Sequence, residues 1–179
     1  MSRAWIQTFS NIKFDILNPK PEMVRIEDIA HALSLLCRFT GHTKFFYSVG
    51  QHSYLGSFLV PPKDGLWFLL HDASEAFLGD VSSPLKHLTP AGKAYLSLEL
   101  RTMEVIIKRF GLSSVEPNSI RKIDRQMLYA EKALLMKKCN WDRLWWGQPK
   151  KAPIVIKEMS PREVEFEFLD RYYQLKEDL

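Results

Sequence analysis

His71 and Asp72 come directly after the apolar run Gly65-Leu66-Trp67-Phe68-Leu69-Leu70. An imidazole and a carboxylate side by side at the end of a buried run are costly unless something compensates them. Two readings fit. One is a mutually satisfied His–Asp pair at an ordinary helix end; the other is a pair of ligands to a metal ion. Glu75 lies four residues after His71 and three after Asp72, spacings that set all three on roughly one face of a continuous helix. Gly79 ends that helix, and Asp80 adds a further carboxylate.

Two more residues extend the set. His52 lies in Ser48-Val49-Gly50-Gln51-His52-Ser53, nineteen residues before His71, and Asp124 lies in the helical pattern Ile120–Leu128. The order is H…HD…D, with each part on its own helix. Two imidazoles and two carboxylates make a mixed nitrogen and oxygen site that contains no thiolate. A structural zinc is therefore not expected, and the ligand types do not choose among the divalent transition metals. A metal in such a site lowers the pKa of bound water and polarises a phosphoryl oxygen. Arg38 is suited to bidentate contact with phosphate oxygens. Lys86 offers a second cation and Lys44 a weaker one.

With these residues in place, the sequence resembles the HD-domain metal-dependent phosphohydrolases. It is most similar to the branch acting on deoxynucleotides, which takes in phage dATP triphosphohydrolases and bacterial 5′-deoxynucleotidases. The resemblance rests on Asp28–Leu33, Cys37–Thr43, Tyr47–Ser53 and the stretch from Leu69 to Lys86. It covers about the first half of the chain, and Asp124 extends it. It implies one divalent ion held by His52, His71, Asp72 and Asp124, with Mn²⁺, Co²⁺, Mg²⁺, Ni²⁺, Fe²⁺ and Zn²⁺ all open. It implies water activation or leaving-group protonation by Glu75 and Asp80, and phosphate contacts from Arg38 and Lys86. Phe39, Gly41 and Pro84 would form an apolar wall around the base. The implied reaction is hydrolysis of dATP to deoxyadenosine with release of phosphate, sparing 2-amino-dATP. A deoxynucleotidase acting on monophosphates and a non-catalytic nucleotide-binding module are the alternatives. The resemblance also implies a homo-oligomer, a dimer or a hexamer, in the cytoplasm (the host's, for a phage protein).

The elements that must position these groups are mostly helices. Trp5–Phe9 and Ile12–Ile16 alternate around Ser10-Asn11 and read as a small β-hairpin. Helices are expected from about Glu27 to Cys37, Ser48 to Val60, Lys63 to Leu78, Ala91 to Phe110, and Pro117 to Lys138. Leu96, Leu100, Met103, Ile106, Ile107 and Phe110 mark a buried face on the long helix at 91–110. Asp80–Lys86 reads as irregular, with room for a short turn of helix. His31, on the first helix, reads as a structural or surface histidine. Trp141–Gly147 is aromatic-rich and suits loop packing better than a substrate platform. Ile154-Val155-Ile156 reads as a short strand. Ser160-Pro161-Arg162-Glu163 combines an N-cap, a proline in the first turn and a capping-box glutamate, and opens a last helix.

The chain has 179 residues, enough for one sizeable core, so residues 1–179 are expected to form a single domain that is mainly all-α. The net charge of +4 fits an anionic ligand, but no Lys/Arg run is long enough for a nucleic-acid arm. Cys37 and Cys139 form neither a CxxC pair nor a disulfide framework, so a reducing compartment is the default. No run approaches the ~18 apolar residues of a membrane span, and the N-terminus lacks the apolar core of an export signal.

Overall fold

Residues 4–139 and 152–177 are described by a computed structural model. The N-terminal alternation forms β1 (Trp5–Gln7) and β2 (Lys13–Asp15), an antiparallel pair with Ile6 opposite Phe14. Several contacts bind the hairpin to the helical body, among them the Phe9 ring stacked on His31 with centroids 3.8 Å apart. The Ser10 amide and hydroxyl donate to the two oxygens of Asp28, at 2.6 and 2.8 Å. The fully buried Phe14 ring stacks on Phe77, with centroids 4.0 Å apart.

The helices lie mostly where the period-3.6 pattern places them, and one, Ser83–Leu88, starts within the stretch expected to be irregular. They are α1 (Ile26–Leu35), α2 (Val49–Gly56), α3 (Gly65–Leu70), α4 (Glu75–Leu78), α5 (Ser83–Leu88), α6 (Pro90–Phe110), α7 (Asn118–Leu135) and α8 (Pro161–Glu177). Ser48 caps α2 by accepting from the Gln51 amide. Ser160 and Glu163 form the expected reciprocal cap of α8, with Glu163 accepting from the Ser160 amide at 2.7 Å. Helix α8 packs on α1, α2 and α3. Ile29, Leu33, Leu69, Leu70, Ile106 and Phe168 lie in the main apolar core beneath the site. Among the described residues no helix is long and apolar enough to cross a membrane.

Four expectations need correction or qualification. The helix expected over 63–78 is not continuous: a 3₁₀ turn at Pro62–Asp64 leads into α3, and turns separate α3 from α4. Through this break the amides of His71, Ala73 and Glu75 bond three residues back, to Phe68, Leu70 and Asp72. The His71 ring supplies the reason: its Nδ1 lies 2.6 Å from the Phe68 carbonyl, so a side chain competes for the acceptor that the ladder would use. His71, Asp72 and Glu75 are therefore not presented on one α-helical face. Ile154–Ile156 forms no strand. Val155 is 76% exposed, and no partner strand lies beside the segment among the described residues. Leu100 is 66% exposed, because the buried stripe of α6 runs through Thr102, Val105, Ile106 and Phe110 instead. Trp141–Gly147 lies outside the described residues.

The N-terminal part of α6 serves α5. A Cβ on Gly92 would run into the carbonyl oxygens of Leu85 and Lys86, so only glycine lets the two helices approach this closely. That approach sets the position from which Lys86 reaches inward.

Candidate metal centre

His52 is delivered by α2 and is fully buried. His71 and Asp72 come from the tightened turn after α3, and Asp124 from α7. Their ligand atoms converge. His52 Nε2 lies 3.4 Å from His71 Nε2 and 3.3 Å from Asp124 Oδ1, and 4.0 Å from Asp72 Oδ2. His71 Nε2 lies 3.3 Å from Asp72 Oδ2 and 4.0 Å from Asp124 Oδ1. His52, His71 and Asp72 form the tightest group. Asp124 closes it from the outer side, with its side chain 42% exposed.

The far side of each ring fixes what faces the centre. The His71 Nδ1 contact is a backbone carbonyl, which only accepts, so Nδ1 carries the proton there. The His52 Nδ1 contact is Glu131 Oε1, at 2.6 Å. Glu131 is fully buried, and although burial would raise its pKa, His52 and Arg38 hold it down to about 2. As an ionised acceptor it too requires a proton on Nδ1. Both Nε2 atoms are then left as lone pairs aimed at one another across 3.4 Å. Two lone pairs and two carboxylate oxygens around one point need a positive charge between them. Burial and Arg38 would lower the His52 pKa, but Glu131 and Asp124 outweigh both and raise it to about 9. A proton on Nε2 or a metal ion meets the same demand. Two nitrogens and two hard oxygens fit a divalent transition metal, and the arrangement of ligand histidine, proton on the remote nitrogen and fixed acceptor is that of metal sites generally.

Arg38 stands beside this cluster. Its Nη1 is 3.3 Å from Asp72 Oδ2, and its Nε is 3.3 Å from Glu131 Oε2. It opens a 3₁₀ turn, Arg38–Gly41, in which Phe39, Thr40 and Gly41 all have positive φ. Left-handed backbone at an aromatic and a β-branched residue costs of order 1–3 kcal/mol each, and persists only where the surroundings enforce it. Phe39 is half-buried, with its ring 5.9 Å from the Arg38 guanidinium carbon, while Gly41 is exposed. Pro84 is exposed in the first turn of α5.

Glu75 and Lys86 meet one another. Lys86 Nζ donates to Glu75 Oε1 at 3.0 Å and to Glu99 Oε1 at 2.7 Å. Glu75 is 6% exposed, and its Oε2 has no hydrogen-bond partner among the described residues. Burial, with Asp72 and Asp80 nearby, raises its pKa to about 9 against the pull of Lys86. The Asp80 carboxyl is also raised, by burial first and by Asp72, while Arg38, Lys86 and His52 act in the other direction. Glu75 and Asp80 thus share one electrostatic field with the cluster. Lys44 turns away: its Nζ donates to the Leu134 carbonyl at the end of α7.

Three residues of this network were not singled out from the sequence: Glu131, Tyr47 and Glu99. Glu131 carried a legible signal, since it lies seven residues after Asp124 on the same helix, a spacing that returns to nearly the same face, between the apolar Met127 and Leu135. Tyr47 and Glu99 are recognisable only through their partners.

The fold and the cluster define a mainly helical protein with a paired-histidine, paired-aspartate centre at the junction of α2, α3 and α7. No family model matches the chain. It is 34% identical over 178 residues to the uncharacterised protein YfdR of Escherichia coli (strain K12), covering 97% of each chain. It is 33% identical over 199 residues to the uncharacterised protein RCAP_rcc00048 of Rhodobacter capsulatus, covering 100% of this chain and 99% of that one. The chain belongs to the family of these two proteins.

Proposed function

We propose that the chain is a metal-dependent phosphohydrolase acting on deoxynucleotides, with dATP as the first candidate substrate and 2-amino-dATP spared. The approach of His52, His71 and Asp72 ligand atoms to within 4.8 Å of one another, with Asp124 Oδ1 3.3 Å from His52 Nε2 and Arg38 alongside, is the observation that carries this reading. When bound there, a divalent ion would supply a water of lowered pKa and a Lewis acid for the phosphoryl oxygen. The chain's own groups take the remaining roles. Arg38, kept charged by Glu131 and Asp72 despite its burial, holds phosphoryl oxygens. Glu75, whose burial favours the protonated carboxyl, protonates the leaving oxygen as water oxygen adds to phosphorus and the phosphorus–oxygen bond breaks. Asp80 takes the proton that the attacking water gives up. Phe39 offers a flat face to the base, and Gly41 and Pro84, both exposed, are the remaining candidates for the wall around it.

Hydrolysis of deoxynucleoside monophosphates is the second reading. It is favoured by the fact that Lys86 and Arg38 are each already engaged by two carboxylates, which leaves less free positive charge for a triphosphate tail. Phosphate release from each deoxynucleoside mono- and triphosphate, with Mn²⁺ or Co²⁺ added, separates the two readings. Release from dATP above the other triphosphates supports the first, and release from monophosphates alone supports the second. No release from any of them, with metal bound, leaves a binding module.

A further inference from the structure

Glu131 has no contact with the point where the ligand atoms converge, yet it touches three groups around it. Its Oε1 accepts from Tyr47 Oη at 2.8 Å and lies 2.6 Å from His52 Nδ1. Its Oε2 lies 3.3 Å from Arg38 Nε. Arg38 in turn reaches Asp72 Oδ2, which lies 3.3 Å from His71 Nε2. Glu131, Arg38 and Asp72 therefore link His52 to His71 around the back of the cluster.

An imidazole can place its single proton on either nitrogen, and the partner of the remote nitrogen decides which. We propose that Glu131 is the positioning residue of this centre: it fixes His52 with the proton on Nδ1 and the lone pair on Nε2, and it ties that state to the placement of Arg38. The proposal rests on the metal-site reading above, and it assigns control of both the metal ligand and the anion-binding guanidinium to one buried carboxylate.

Glu131→Gln tests it because the amide is nearly isosteric but has one donor end and one acceptor end. Arg38 Nε faces Oε2 as an ion pair rather than a hydrogen bond, so the positive charge of the guanidinium draws the amide oxygen to that side, and the Tyr47 hydroxyl, which can accept as well as donate, turns to meet the amide nitrogen. The amide nitrogen then faces His52 Nδ1, which must become the acceptor, and the ring proton moves to Nε2, where the metal would bind. The same exchange of carboxylate for amide in a serine-protease triad leaves the wrong tautomer and costs ~10⁴-fold in turnover. Here the expected loss is roughly 10–100-fold in Co²⁺ affinity, measured by titration with the metal alone. In the double variant Glu131→Gln with Arg38→Met the guanidinium is gone, the amide oxygen is free to turn to His52, and most of the lost affinity returns. A residue that only fills and satisfies the core predicts the reverse, with the double variant worse than the single.

A second readout needs no metal. Long-range ¹H–¹⁵N NMR of the metal-free protein, at a pH high enough to leave His52 neutral, reports which ring nitrogen carries the proton. The expected result is Nδ1–H in the wild type, Nε2–H in Glu131→Gln and Nδ1–H again in the double variant. Nε2–H in the wild type overturns the proposal even if the single variant does not fold. An unchanged tautomer with unchanged Co²⁺ affinity in a folded Glu131→Gln overturns it as well. If the wild type takes up no Co²⁺, the metal-site reading fails, and the tautomer series still decides the role of Glu131.

Discussion

Adding and chelating a divalent metal is the most direct test of the proposed centre. His52 Nε2 and His71 Nε2 lie 3.4 Å apart, with Asp72 and Asp124 oxygens at 3.3–4.0 Å. An ion that binds only the folded chain stabilises it by RT ln(1 + [L]/Kd), about 2.7 kcal/mol at a hundredfold excess over Kd. For a domain of this size each kcal/mol moves Tm by about 2–4 °C, so saturating Mn²⁺ or Co²⁺ should raise Tm by roughly 5–11 °C over the chelated protein. Asp124→Ala is the informative variant. The Asp124 side chain is 42% exposed, so its removal empties little of the core, and a lost shift reports lost binding. Differential scanning calorimetry of both proteins, with and without metal, reads the two shifts. An Asp124→Ala shift equal to that of the wild type removes Asp124 from the ligand set. The absence of any shift in the wild type, for every divalent ion tried, refutes the metal reading.

Other predictions follow from single contacts. Glu75→Gln should keep the metal-induced shift but slow turnover ~10²–10⁴-fold, as expected for a lost general acid, and near-normal kcat would pass that role to Asp80 or to the metal alone. In the chelated protein the Glu75 pKa is raised from 4.5 to about 9, so its contribution to stability is fully present below 4.5 and is lost as pH rises through about 9. Glu75→Gln should therefore flatten the fall of Tm with pH across that window, and an unchanged slope would show that Glu75 is ionised throughout. Phe39→Ala should lose base discrimination worth about 1–3 kcal/mol, measured as relative kcat/KM on dATP and 2-amino-dATP. A drop in Tm with base preference intact would make Phe39 a packing residue. Gly92→Ala should cost about 1–3 kcal/mol by forcing α5 off α6, and an unchanged Tm would mean that the two helices part freely.

His52, His71 and Asp72 stand out in the sequence because each is a polar residue set into or against an apolar helical pattern, where it needs a partner, and Asp124 completes the order on the charged helix α7. The helices were legible for the same reason, and Ser48 and the Ser160–Glu163 box marked two of their starts closely. The break at 71–74 was not, because it depends on the His71 ring taking the Phe68 carbonyl, a contact that spacing does not encode. Leu100 was misplaced because the apolar stripe of α6 is wider than the surface that covers it. Ile154–Ile156 alternates like a strand, but alternation alone does not supply a neighbour to pair with. Glu131 shares the face of Asp124 by its spacing, but an acidic residue on a charged helix also reads as solvated, and the approach of Tyr47, His52 and Arg38 from other elements decides between the two.

The stacking of Phe14 on Phe77 bears on the order in which the chain can assemble. Phe77 lies two residues after Glu75, and its partner lies sixty-three positions earlier in the chain. Contacts of such separation carry the loop-closure entropy that slows folding, and they form only when most of the intervening chain is in place. Helices α1 to α3 can collapse on local contacts, whereas the support beneath α4 is complete only once the hairpin has returned to it. Deleting the residues before β2 should therefore leave helical content largely intact, while lengthening the time a refolding chain needs to regain its native near-UV signature.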